Sequence, residues 1–236
     1  MKQYLRVALC ALLLGACGGS DEPAEEVQRT STSGSERRAP VDDGVAVTGL
    51  MGTIRQDEVV NALSPRMPRF VRCFSQRMGD VELLGGDIRL SFRIHTDGSV
   101  AWVYPLETDI GDRDTERCVL SVASQTRFPR PRGGEAEFQW GFGLDPSEDI
   151  RPPLNWQADA LGRRADDVAT LGRSCRASGT YVITAYINPG GEVLAAGGTM
   201  PDQDSEAALD CILDAVRGME MPDPGSYPAK ITFQVR

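Results

Sequence analysis

Few side chains in this sequence are placed to do chemistry. The only histidine, His95, follows Ile94 at the end of an alternating apolar stretch and precedes Thr96-Asp97-Gly98, which is turn chemistry. A lone imidazole with no nucleophile at a set spacing reads as a surface turn residue rather than a general base. Asp109, Asp112, Asp114 and Glu116 crowd together but lack the glycine and closing glutamate of a calcium loop. They read as the solvated start of a helix, where carboxylates favour the positive end of the dipole. No serine lies in a Gly-x-Ser-x-Gly elbow, no Cys-x-x-Cys occurs, and no glycine-rich phosphate loop follows a strand. The expectation is a protein with no catalytic residue, no metal and no cofactor. Arg66, Arg69 and Arg72 recur three apart, and Arg127, Arg130 and Arg132 surround a proline pair. They read as solubilising surface, with an acidic partner or a polysaccharide phosphate as the functional alternative.

The first residues carry an address. Lys2 and Arg6 precede the apolar run 7–14, which closes on Leu14-Gly15-Ala16-Cys17. A run of about eight apolar residues is too short for a hydrocarbon layer of about 30 Å, which needs about 20 helical residues, so 1–16 reads as a cleaved signal peptide. Its ending resembles the lipobox of bacterial lipoproteins, which implies acylation at Cys17. Gly18 in place of aspartate favours the outer membrane, with the folded part in the periplasm. Residues 17–50 are rich in Gly, Ser, Thr, Pro and charge without an aromatic residue, and read as a disordered tether spanning roughly 30 Å. The whole chain holds 25 basic and 34 acidic residues, a net charge of -9; without 1–16 it holds 23 and 34, a net charge of -11. Nucleic acid is excluded as a partner by that balance.

The remaining chain repeats itself at a shift of 93 residues. Gly86 falls on Gly179, Gly98 on Gly191, Cys118 on Cys211 and Pro129 on Pro222. Ile88, Leu90, Phe92 and Ile94 alternate as Tyr181, Ile183, Ala185 and Ile187 do, and Phe138, Trp140 and Phe142 as Ile231, Phe233 and Val235 do, which predicts strands with one buried face. Turns at Thr96-Asp97-Gly98 and Asn188-Pro189-Gly190-Gly191 predict hairpins whose second arms are 99–106 and 192–199. Helices are predicted over 113–123 and 205–216, capped by Asp112 and by Ser205 or Asp204, and over 56–78, interrupted near Ser64-Pro65, and 157–176. Each repeat thus reads helix, strand, strand, helix, strand. The domains expected are 51–146 and 156–236, joined by a linker at 147–155.

Two cysteines fall outside this plan: Cys10 lies in the signal and Cys17 after it. Export to an oxidising compartment predicts that the other four pair. Four cysteines allow three connectivities, of which Cys73–Cys118 with Cys175–Cys211 is the one that treats both repeats alike.

Val71-Arg72-Cys73-Phe74, Gly86 to Ile94, Asp97-Gly98-Ser99-Val100, Cys118-Val119 and Phe128-Pro129-Arg130-Pro131-Arg132-Gly133-Gly134 together resemble the AgmX/PglI C-terminal domain, a TonB C-terminal-like family, over about 54–144. The second repeat keeps Gly191-Glu192-Val193, Cys211 and Met221-Pro222-Asp223-Pro224, but has Arg176 where the aromatic residue stands in the first. The resemblance implies an α+β fold, two tandem units each with a three-stranded antiparallel sheet and two helices on one face. It also implies a non-enzymatic module that binds an envelope protein, often by strand addition to a sheet edge. An alternative role is a structural component of a gliding-motility or envelope transport complex. The last strand of each repeat has no successor to pair with. The connector after 136–142 can fold back over it, whereas 230–236 has nothing after it in the sequence, so Lys230, Thr232, Gln234 and Arg236 are the expected partner-binding residues.

The lipobox resemblance predicts that Cys17→Ser moves the protein from the detergent phase of a membrane partition to the aqueous phase. Retention in the detergent phase would contradict acylation at Cys17.

Overall fold

The computed structural model describes residues 47–49, 52–146 and 149–236. Cys17, the signal 1–16 and the tether as far as 46 lie outside the described residues. Among the described residues no helix is long and apolar enough to cross a membrane. The fold is mixed α+β with two sheets.

In the first repeat, α1 (Gln56–Leu63), a 3-10 turn (Ser64–Arg66) and α2 (Met67–Ser75) precede β2 (Gly86–Ile94), β3 (Val100–Thr108), α3 (Arg113–Ser124) and β4 (Ala136–Leu144). The second follows with a 3-10 turn (Ala158–Leu161), α4 (Arg164–Ser174), β6 (Tyr181–Ile187), β7 (Val193–Gly198), α5 (Glu206–Arg217) and β8 (Ala229–Val235). The element order is the one expected. The helix predicted over 157–176 is split, because Gly162 takes φ 53° between the 3-10 turn and α4. Asp112 caps α3 through Thr115 N at 3.1 Å, as expected, whereas Ser205 at the start of α5 spends its hydroxyl on Asp202 and makes no cap bond.

Each sheet has four strands where three were expected. The orders are β1-β4-β2-β3 and β5-β8-β6-β7, with β1 (Val47–Gly49) antiparallel to β4 and β5 (Leu154–Trp156) parallel to β8. Both added strands come from stretches expected to be tether or linker. An open edge exposes unpaired backbone groups, and a few residues of passing chain satisfy them without needing an alternating pattern of their own.

The two cores differ in kind. In the first, Phe92 stacks on Phe138 at 4.8 Å between ring centroids, and Phe70, Phe128, Trp140 and Phe142 pack around them under α2 and α3. In the second, aliphatic Leu209, Ile212, Leu213 and Val216 of α5 cover Ile183, Ala185, Ile231 and Phe233. Disulfides Cys73–Cys118 and Cys175–Cys211 join the helices of each repeat, with Cα atoms 5.6 and 5.7 Å apart. Spanning 45 and 36 residues, each contributes about 4 kcal/mol by restricting the unfolded chain.

One tie recurs in both repeats and accounts for part of the 93-residue register. Phe128 N donates to Gly98 O at 2.9 Å, and Met221 N to Gly191 O at 2.8 Å, fastening each hairpin tip to the extended segment after the helix. Both glycines have positive φ, 83° and 88°, and a Cβ on either would strike the carbonyl oxygen of Phe128 or Met221. Gly191→Ala is therefore expected to cost at least about 3 kcal/mol in denaturant unfolding. The neighbouring Gly190→Ala, with φ 106° but no atom within 4 Å of its Cβ, should cost only backbone strain of about 1 kcal/mol. Equal costs would contradict the tie.

Candidate functional site

The outer face of the second sheet is where the repeats meet. Thr184 and Tyr186 of β6, outward by alternation, are fully buried there by the first repeat. Tyr186 donates its hydroxyl to Gly85 O at 3.0 Å, and its burial raises the phenol above its usual range. Lys230 of β8 donates to Gly85 O at 3.0 Å, meets Asp109 at 3.3 Å and lies 5.5 Å from the Tyr186 ring centroid. The edge of β7 lies against α3, whose Glu116 accepts Gly198 N at 3.1 Å. Arg113, 1% exposed, reaches Asp210 at 2.8 Å and Glu206 at 2.7 Å on α5. Gly197 is required by this closeness, since a Cβ would fall on the Glu116 carboxylate and on Asp112 N.

These contacts correct two expectations. Lys230 is held in the contact between repeats and is not free for a partner. Glu116 is not a solvated helix-start carboxylate: it is fully buried, and its Oε1 has no hydrogen-bond partner. Nothing in the sequence marked it, because the glycines that admit it sit 81 and 82 residues further on. The rest of the acidic run is dispersed in purpose. Asp109 meets Lys230, Asp112 caps α3 and bonds Arg77 at 3.1 Å, and Asp114 lies 3.8 Å from Arg77. Among the described residues no three His, Cys, Asp or Glu side chains are grouped as metal ligands. His95, half exposed, meets Glu135 at 2.7 Å, and this bond is the main cause of Glu135 titrating below its usual range. Arg93 holds the same carboxylate at 2.9 Å, so the group is a surface ion network.

The edge of β8 is the other notable feature. Leu154 N donates to Pro228 O at 2.9 Å, and backbone groups alternate sides along a strand, so the N–H and C=O of Lys230, Thr232 and Gln234 all point towards the β5 side. β5 ends with Trp156 opposite Ile231. The parallel ladder closes with Thr232 N–H on the Trp156 carbonyl; beyond it, among the described residues, no strand pairs with that side of β8, which leaves the Thr232 carbonyl and the Gln234 N–H and C=O free. Both side chains are exposed; Thr232 shares a hydroxyl bond with Thr184 at 2.9 Å, and Gln234 accepts from Arg236 at 3.1 Å. On the core side of this edge runs an apolar groove of about 540 Å³ lined by Leu161, Ala165, Val168, Ala169 and Phe233. On the other side a cleft of about 570 Å³ opens between the repeats, from Val182 and Thr232 to Asp87, Arg89 and Glu107.

The remaining edges are covered or interrupted to different extents. β4 carries β1 at Ala136–Phe138 and, among the described residues, has no partner on that side beyond Phe138, and β7 is against α3. β3 contains Pro105 and pairs with β2 through two register shifts, which twist an edge away from flat pairing. Of the four expected partner-binding residues, the structure leaves Thr232 and Gln234 at an open edge and Arg236 exposed beside them. No protein-family model, curated protein or solved structure matches this chain.

The buried carboxylate generates a pH prediction. Burial drives Glu116 up from 4.5 to about 8, against the opposing pull of Gly198 N and Arg113, with Asp112 adding to the rise and Arg217 opposing it. A folded-state value above the unfolded one means the native protein holds the extra proton, so stability is full below about pH 4.5 and falls as pH rises towards 8. Glu116→Gln should flatten that fall and raise the unfolding free energy at pH 8 by at least about 2 kcal/mol relative to the parent. An unchanged slope of stability against pH between 5 and 8 would contradict the burial.

Proposed function

We propose that this chain is a non-enzymatic, partner-binding lipoprotein of the Gram-negative envelope, tethered to the outer membrane through Cys17 and related to TonB C-terminal-like modules, which captures a protein partner by strand addition at Thr232–Gln234. The observation that carries this reading is the free stretch of β8 edge beyond Trp156, backed by the apolar groove under α4. Strand addition draws affinity from main-chain hydrogen bonds and selectivity from alternate side chains. β5 serves as an internal template for the pattern. Trp156 packs against the second core while Asn155 lies in the cleft between the repeats with Thr232 and Asp109. A partner strand continuing along β8 would place apolar side chains over Ala165, Val168 and Ala169 and polar ones in the cleft.

The discriminating experiment is a proline at Gln234. It removes an N–H that has no partner within the described chain, so the cost in stability should stay below about 1 kcal/mol. Capture of partner from envelope extracts should fall at least tenfold in this variant, while Ser174→Ala on the exposed side of α4 should leave it unchanged. Undiminished capture by the folded proline variant would rule out this edge.

A further inference from the structure

A second surface lies at the far end of the first repeat from the second. Among the described residues, Arg66, Arg69, Arg72, Arg130 and Arg132 have no carboxylate within 4 Å, whereas Arg55, Arg77, Arg89, Arg93, Arg113, Arg117 and Arg127 each do. On α2 the inward side chains are Phe70, Cys73 and Phe74, leaving Arg69, Val71 and Arg72 outward. Val71, 40% exposed, is one of two large exposed apolar side chains among the described residues.

The topology gathers these groups. α2 and α3 run antiparallel through Cys73–Cys118, so Arg69 lies beside Gln125 at the end of α3, at 3.4 Å, and Arg77 beside Asp112 at its start. The segment leaving α3 carries Arg127, Arg130 and Arg132, and Arg132 pairs with Thr53. The opposite end of the helix pair is acidic, with Asp80, Asp112 and Asp114 around Arg77, and there the second repeat is seated. The two ends are separated by the 12 residues of α3, about 18 Å, or two screening lengths at physiological salt. The arginine end therefore acts as a local positive surface despite the net charge of -9. The chain also enters the fold here: β1 lies along β4 at Ala136–Phe138, and Gly52 N bonds Glu135 O at 3.1 Å.

We propose that this face, Arg66, Arg69 and Arg72 flanked by Val71 and joined by Arg130 and Arg132, docks on the anionic phosphate headgroups of the membrane to which the chain is tethered. The direction of docking rests on the lipid-anchored reading above; the affinity for anionic lipid does not. An outward apolar residue among arginines suits the headgroup boundary, where the side chain enters and the cations stay with phosphates. Each arginine near an anionic surface gains about fivefold in partition. A tether turns such weak contact into an intramolecular one at high effective concentration, so the face would hold the module against the membrane without a stoichiometric protein receptor.

The test uses residues 17–236 with Cys17→Ser, so that no acyl chain contributes, and co-sedimentation with vesicles of 30% phosphatidylglycerol in phosphatidylcholine or of phosphatidylcholine alone. The expected result is at least tenfold more protein on the anionic vesicles at low salt, falling at least tenfold on raising salt to about 300 mM. Arg69→Ser with Arg72→Ser should lose about twenty-fivefold, and Val71→Asp at least fivefold, with unchanged thermal midpoints. Arg163→Ser with Arg173→Ser, exposed arginines of the second repeat, should lose less than twofold. Equal partition to both vesicle types overturns the proposal, as does an equal loss in the second-repeat variant. Retention on a heparin column that depends on Arg69 and Arg72, without vesicle binding, also overturns it and points to an anionic glycan instead. Failure of acylation at Cys17 would leave the vesicle result standing, so the two readings fail separately.

Discussion

The close seating of the first repeat on the outer face of the second sheet is the constraint from which the rest of the arrangement follows. A small sheet with helices on one side would ordinarily leave its other face to water. Here Thr184 and Tyr186 are buried on that face, and Gly197 leaves room for Glu116 to reach the β7 backbone. The seating costs the burial of a carboxylate and of Arg113, which lies 1% exposed with one nitrogen unpartnered. Burying charge is expensive unless it is paired, and Asp210 and Glu206 supply the pairing for the arginine. Lys230 and Asp109 add a contact at the other side of the interface. With β7 covered in this way, the second sheet can be extended only at β8.

The chain then manages its β8 edge with its own connector, and only in part. Three residues, Leu154–Trp156, satisfy the first half of that edge and then turn away into the 3-10 turn at Ala158–Leu161, leaving Thr232 and Gln234 next to an apolar groove. Proteins that have no use for an exposed edge blunt it with charge, proline or a bulge. β3 has two of these devices, Pro105 and its register shifts, and β8 has none beyond Lys230, which points into the interface.

The repeat, the strands and both disulfides were legible because period-two alternation, turn glycines and equal cysteine placement are local signals that the 93-residue register doubles. Gly98 and Gly191 are instructive, since the register singled them out before the contact with the Phe128 and Met221 backbones gave the reason. What stayed hidden was set by packing between repeats. The burial of Thr184 and Tyr186, the capture of Lys230 and the interior position of Glu116 depend on residues about 80 to 145 positions away and leave no periodic trace. The added strands β1 and β5 were hidden for another reason. Strands of three residues are too short to show an alternating pattern, so they read as tether and linker. Half of the candidate edge was therefore visible as the unpaired final strand, and its boundary at Trp156 was not.

The central claim is that β8 is paired on both sides up to the Thr232 N–H and on one side beyond it. Amide hydrogen exchange of the free protein, resolved by residue, measures this directly. The account predicts that Ile231, Phe233 and Val235, bonded to β6, exchange at rates set by opening of the second sheet, while Gln234 exchanges at least a hundredfold faster. Protection of Gln234 equal to that of Phe233 would contradict the open edge and, with it, the site proposed here.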